Sequence, residues 1–177
     1  MSGLYLASQS PRRTELLHQV GIDHTVVTSS YVEDNVVIID PIEMVKAQAL
    51  GKARCANDVP DGSIVLGADT IVVFDGKVLG KPHSKDEART MLRTLSGQVH
   101  SVITGVALLI KGREIVFHNE TKVYFKTLQD FEIESYIDSM EPMDKAGAYG
   151  IQGKGALWVD KIEGSYTNVV GLPVEHV

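Results

Sequence analysis

Cysteine is almost absent from this sequence: the single one, Cys55, has no intramolecular partner, so the fold needs no oxidising compartment. It falls within a helical stretch and reads as a small packing residue. Long apolar runs are missing too. The apolar segment 64–74 is broken by Asp69 and is too short to span a bilayer. At the N-terminus, Arg12 and Arg13 follow the apolar residues instead of preceding them, the reverse of a secretory signal. A cytoplasmic protein without a membrane partner is therefore expected. Positive charge is in deficit, with 17 Lys and Arg against 23 Asp and Glu and a net charge of −6. Such a field repels a long polyanion, so no nucleic-acid partner is expected, although a compact anion pocket survives because local geometry prevails at short range. Hydrophobic residues make up 44% of the 177 positions, enough to bury a core and to exclude a disordered chain.

What is present alternates between helix and strand signals. Residues 4–7 read as a short buried strand, and 11–20 as a helix with Ser10 at its N-cap, Pro11 in its first position and Gly21 at its stop. Leu16, Leu17 and Val20 form its inward face. A second strand is expected at 25–28. Asp40-Pro41-Ile42-Glu43 has the form of a capping box opening a helix over 41–56. Residues 63–74 are strand-like, and Asp75-Gly76 turns the chain into a further strand at 77–79. Ser84-Lys85-Asp86-Glu87 opens a helix that places Ala88, Met91, Leu92 and Leu95 on one stripe and ends at Gly97. Two long strands, 99–110 and 114–125, follow. Residues 127–130 then open a helix with Ile133, Tyr136, Ile137 and Met140 inward, and 144–173 is expected to be strand and loop. Hairpin signals interrupt a strict βαβ rhythm, so the expected class is α/β: a mixed, twisted sheet flanked by helices.

Several groups of residues carry chemistry. In Ser8-Gln9-Ser10-Pro11-Arg12-Arg13 a strand turns into a helix whose first turn holds two arginines where acidic residues are favoured. This is either a phosphate site, with guanidinium forks and helix N–H groups converging, or a capped helix with solvated arginines. Asp69 lies amid apolar strand residues, where a carboxylate is costly unless paired, protonated or bound to metal. It reads as a general base, a hard-cation ligand, or an Asp satisfied by backbone donors at a bend beside Gly67. Lys52 shares the inward stripe of its helix with Val45, Ala49 and Ala56, and either points a cation into a cleft or extends to solvent. Lys81 sits beside a turn in Gly80-Lys81-Pro82, and Glu33-Asp34 is an acidic pair in a polar loop. Gly147, Gly150, Gly153 and Gly155 suggest backbone passing close to something. The six histidines are scattered singly, with no zinc spacing, and neither a dinucleotide fingerprint nor a P-loop is present. His100 and the others are expected to have structural or surface roles.

Taken in order, Ser8–Leu17, Gly67-Ala68-Asp69-Thr70, Gly80-Lys81-Pro82, Leu95-Ser96-Gly97, Thr104-Gly105-Val106, Asp144–Gly153 and Val169-Val170-Gly171-Leu172-Pro173 resemble the motifs of the Maf family of nucleotide pyrophosphatases. The resemblance covers nearly the whole chain. It implies a single domain over 1–177 with a fold similar to the inosine-triphosphate pyrophosphatases, two lobes around a cleft, and a homodimer. It also implies hydrolysis of a nucleoside triphosphate to monophosphate and pyrophosphate with a divalent cation, Mg²⁺ or Mn²⁺. By the same resemblance Asp69 is the catalytic base, Ser8, Arg13, Lys52 and Lys81 line the triphosphate, and Glu33 helps hold metal; the reading of the residues themselves adds Ser10 to the phosphate contacts and Asp69 to the metal ligands. Arg12, Thr70 and Gln152 match the dTTP/UTP branch. Relatives usually continue into a C-terminal helix after the Gly-Leu-Pro motif, so either the sequence is truncated after Val177 or the domain lacks that element. Two other readings use the same pocket: a phosphatase or nucleotidyl transferase, and a non-enzymatic nucleotide-sensing module in cell-division control.

Overall fold

The N-terminal strand β1 (Leu4–Leu6) lies between two parallel neighbours, β2 (Thr25–Val26) and β3 (Ile64–Phe74), in a computed structural model that describes residues 3–32 and 40–177. Strand β4 (Lys77–Leu79) folds back antiparallel on β3 through the Asp75-Gly76 turn, where both residues take positive φ. The sheet order is β2-β1-β3-β5-β6-β7, with β5 at Val99–Ile110, β6 at Arg113–Phe125 and β7 at Val159–Glu163 antiparallel to β6. Helices α1 (Pro11–Gln19), α2 (Pro41–Arg54), α3 (Lys85–Leu95), α4 (Asp130–Asp138) and α5 (Tyr166–Val170) complete a mixed α/β architecture.

The caps explain the helix starts. Asp40 accepts the Ile42 N–H at 3.0 Å, and Ser84 accepts the Glu87 N–H at 3.0 Å. Ser10 occupies the N-cap position of α1, but its side chain makes no capping bond. Instead its own N–H donates to Ser8 Oγ at 3.2 Å. Three details differ from the sequence expectation. Val20 falls at the C-cap of α1 and is 48% exposed, because the helix ends one residue before it could turn inward. Met140 lies past α4 in a left-handed conformation (φ 64°) and is exposed. The segment 144–173 starts at the last residue of a short 3₁₀ turn (Glu141–Asp144) and holds two more (Ala146–Ala148, Lys154–Trp158) and α5 besides strand β7. Turns of three to five residues are too short to display an apolar period, so nothing in the sequence announces them.

The chain forms two compact units: residues 1–70, 103–119 and 171–177 in the first, and 71–102 and 120–170 in the second. In the first, Ala7, Ala49, Ala53, Val65 and Ala107 pack together, a cluster dominated by small side chains. That smallness reflects how close α2 lies to the strands. A Cβ placed on Gly67 would stand 2.3 Å from the Ala49 carbonyl oxygen, and one on Gly105 would stand 2.3 Å from that of Val45. Backbone thus meets backbone where β3 and β5 pass under α2. Gly67→Ala is expected to lower stability by about 1–3 kcal/mol, because the obstacle is main chain and cannot rotate aside. Urea denaturation measures it, and an unchanged midpoint would mean that the helix yields freely.

The core of the second unit is built from Leu92, Leu95, Val123, Phe125, Ile133, Tyr136, Ile137 and Trp158 among others. His100 is buried there, 2.7 Å through Nε2 from the Tyr149 hydroxyl and edge-on to the Phe125 ring. Burial pushes its pKa down to about 4, so it is a neutral core residue, in keeping with the structural role expected of it.

Candidate active site

The turn from β1 into α1 brings Arg13, bonded to Ser8, against Thr70 at the middle of β3. Strand pairing sets this up: the Ala7 N–H continues the parallel ladder onto the Leu66 carbonyl at 2.8 Å, so the chain leaves the sheet at Ser8 beside the glycine-bearing stretch of β3. One helical turn later the Arg13 side chain returns to it. Its Nε donates to the Gly171 carbonyl at 2.8 Å, one terminal nitrogen to Ser8 Oγ at 3.0 Å, and the other to Thr70 Oγ1 at 3.1 Å. Thr70 in turn shares a hydroxyl hydrogen bond of 2.8 Å with Thr104, which is wholly buried on β5.

Arg13 is therefore not a solvated arginine at a helix start. It is 9% exposed, and burial lowers its pKa to about 10, opposed by the charge of Asp69 and reinforced by that of Arg12. It stays charged at neutral pH. Every acceptor hydrogen-bonded to it among the described residues is neutral, so an anion at this turn would meet a cation whose fork is already aimed.

On β3, Asp69 is 7% exposed. Lys52 reaches it from α2, with Nζ 3.1 Å from Oδ1 and side chains 22% and 10% exposed respectively. Val45, Ala49 and Ala53 face inward on that helix, and Lys52 stands at the margin of their stripe. Its stem covers apolar surface while its ammonium meets the carboxylate. Ala56, expected on the stripe, lies beyond the end of the helix. The close approach at Gly67 and Gly105 is what brings Lys52 within reach of β3.

Of the residues the sequence singled out, Ser8, Ser10, Arg12, Arg13, Lys52, Asp69 and Thr70 all belong to the first unit. Lys81 and Gln152 belong to the second and are exposed there. Glu33 lies outside the described residues. Sequence reasoning gave no role to Thr104 or Gly171, although both fall within quoted motifs; as hydroxyl and carbonyl supports of the Arg13 fork they carry no chemical signature of their own. Among the described residues no group of three or more His, Cys, Asp and Glu collects to hold a metal, and no helix is long and apolar enough to cross a membrane.

A mixed sheet with a buried cation fork and a lysine-paired carboxylate defines an α/β protein with a charged site where β1 ends and β3 reaches its midpoint. The chain belongs to the Maf family: residues 3–177 match the family described as Maf-like protein. Among curated proteins it is similar to a protein of Symbiobacterium thermophilum, with 53% identity over 98% of this chain and 90% of the relative. Relatives in Bacillus pumilus (49% identity, 98% and 92% covered) and Bacillus cytotoxicus (48%, 98% and 91%) match as fully. All three are named dTTP/UTP pyrophosphatase.

Proposed function

We propose that this chain is a dTTP/UTP pyrophosphatase, hydrolysing a pyrimidine nucleoside triphosphate to the monophosphate and pyrophosphate. The names of its relatives support the substrate, and one observation carries the chemistry: a buried, charged Arg13 bonded to neutral acceptors, within electrostatic reach of the Asp69 carboxylate. Arg13, the Ser8–Ser10 turn and Lys52 bind and orient the phosphates. Asp69, oriented by Lys52, accepts a proton from water as the oxygen attacks the α-phosphorus. The bond from that phosphorus to the α,β-bridging oxygen breaks, and pyrophosphate leaves with the bridging oxygen. Preset cations offset the charge that develops.

Oxygen donors and phosphates suit a hard divalent cation, which commonly takes one or two carboxylates and completes its shell with phosphate oxygens and water. Asp69 is the described residue that would hold Mg²⁺ or Mn²⁺, and when bound the ion supplies charge neutralisation of the phosphates. A homodimer and a cytoplasmic location rest on the family resemblance and the sequence; sedimentation and cell fractionation measure them.

Incubation with a panel of pyrimidine and purine triphosphates, with Mg²⁺, with Mn²⁺ and with chelator, followed by product identification, tests the proposal. Monophosphate plus pyrophosphate is expected from dTTP and UTP, and chelation is expected to stop it. Orthophosphate or a transferred nucleotide would instead define a phosphatase or transferase, and binding without turnover a sensing module. Gln152→Ala is expected to relax discrimination against purine triphosphates by about 1–3 kcal/mol, since an amide can read a base edge by hydrogen bonds. Thr70→Ala is expected to act more broadly, because its hydroxyl supports Arg13; its loss should lower kcat across the panel.

A further inference from the structure

Gln152 sits on a turn that is tied down on both sides. Tyr136, on α4, is 2% exposed, and its hydroxyl accepts the Gly150 N–H at 3.0 Å while donating to Glu141 Oε1 at 2.9 Å. The other carboxylate oxygen of Glu141 accepts the Lys154 N–H at 3.4 Å. The two tethered amides flank Gln152 symmetrically in sequence, and its side chain is exposed. Close packing reinforces the tethers. A Cβ on Gly153 would stand 2.1 Å from Glu141 Oε1, and one on Gly150 would stand 2.6 Å from Lys145 Cε. Lys145 is itself drawn to the Glu141 carbonyl at 2.8 Å and to Asp144 Oδ1 at 2.9 Å. All of these residues lie in the second unit. Burial pushes the Tyr136 pKa upward, so the phenol stays protonated and needs the acceptor that Glu141 supplies.

We propose that Tyr136 and Glu141 are positioning residues that fix the Gln152 turn and thereby set the preference among nucleotide bases. The inference rests on the reading that Gln152 contacts the base. A side chain that discriminates by hydrogen bonds must be held within about 0.5 Å of its working position. A glycine-rich turn has no such stiffness of its own, and here it comes from a phenol and a carboxylate clasping the main chain.

Two variants test this. Tyr136→Phe keeps the ring edge-on to Trp158 (centroids 4.6 Å apart) and removes only the hydroxyl. Glu141→Gln keeps the shape but replaces one acceptor oxygen by a donor. Each is expected to reduce the ratio of kcat/KM for dTTP over purine triphosphates by about fivefold or more, through KM for dTTP and with kcat retained. In each, hydrogen exchange at Gly150 and Lys154 should accelerate while the amides of α3 and β5 do not change. In a Gln152→Ala background Tyr136→Phe should have no further effect on the ratio. If Gln152→Ala lowers the ratio but neither clasp variant does, or if the effects add, the positioning role is wrong while the reading of Gln152 stands. If Gln152→Ala leaves the ratio unchanged, the reading of Gln152 falls and the inference falls with it. Should Tyr136→Phe fail to fold, Glu141→Gln carries the same measurements.

Discussion

Replacing Asp69 by asparagine is expected to abolish measurable turnover while leaving nucleotide affinity within about an order of magnitude. Asparagine is nearly the same size and keeps an oxygen for Lys52 Nζ, now 3.1 Å from Oδ1, so the local packing on β3 survives. What disappears is the negative charge and the capacity to take a proton from water. General-base assistance is worth about 10²–10⁴-fold in rate, and a bound cation would lose one protein carboxylate at the same stroke. Affinity follows a different course: removing a carboxylate from a site that receives phosphates takes away repulsion and offsets the loss of a cation ligand, so binding changes little. Single-turnover rates and calorimetric titration with dTTP separate the two effects. Lost binding with an intact rate per bound nucleotide would overturn the assignment of Asp69 to the chemical step.

Arg13→Lys should be nearly as damaging, even though charge is conserved. The guanidinium supplies separate donors to the Gly171 carbonyl, Ser8 and Thr70. An ammonium on a flexible stem is a point charge and cannot serve these three directions at once. Removing an aimed donor from developing charge typically costs about 10²–10³-fold in kcat. The abandoned acceptors add about 1–3 kcal/mol of lost stability, since they are buried or nearly so. Measured together, kcat with dTTP and the urea midpoint should both fall. A variant that is less stable but catalytically normal would reduce Arg13 to an internal strut and remove the main support for a phosphate-binding turn.

Much of the scaffold was legible because its signals are local. Ser84 and Asp40 cap α3 and α2 through their own side chains, and the ends of β5 and the start of α1 fall where turn glycines and Pro11 put them. Asp69 was conspicuous as a carboxylate in an apolar strand, and Lys52 as a cation on an inward stripe; the structure joins the two in one ion pair. The rest was not written locally. The hydrogen bond from Arg13 to Gly171 spans 158 residues, and a main-chain acceptor looks the same at every position. Ser8 could not be told from Ser10 as the hydroxyl that organises the turn, because both precede the same helix. Tyr136 read as a core aromatic, which its ring is; only the hydroxyl at its edge reaches the glycine turn.

The glycines under α2 have an evolutionary consequence. Where a helix rides on side chains, drift in their volumes moves it, and the spacing of whatever it carries wanders with them. Here the carbonyl oxygens of Ala49 and Val45 leave no room for a Cβ on Gly67 or Gly105, so contact between main chains sets the gap. The ruler that sets Lys52 against Asp69 is therefore main chain, and its length does not depend on the volumes of the apolar side chains around it.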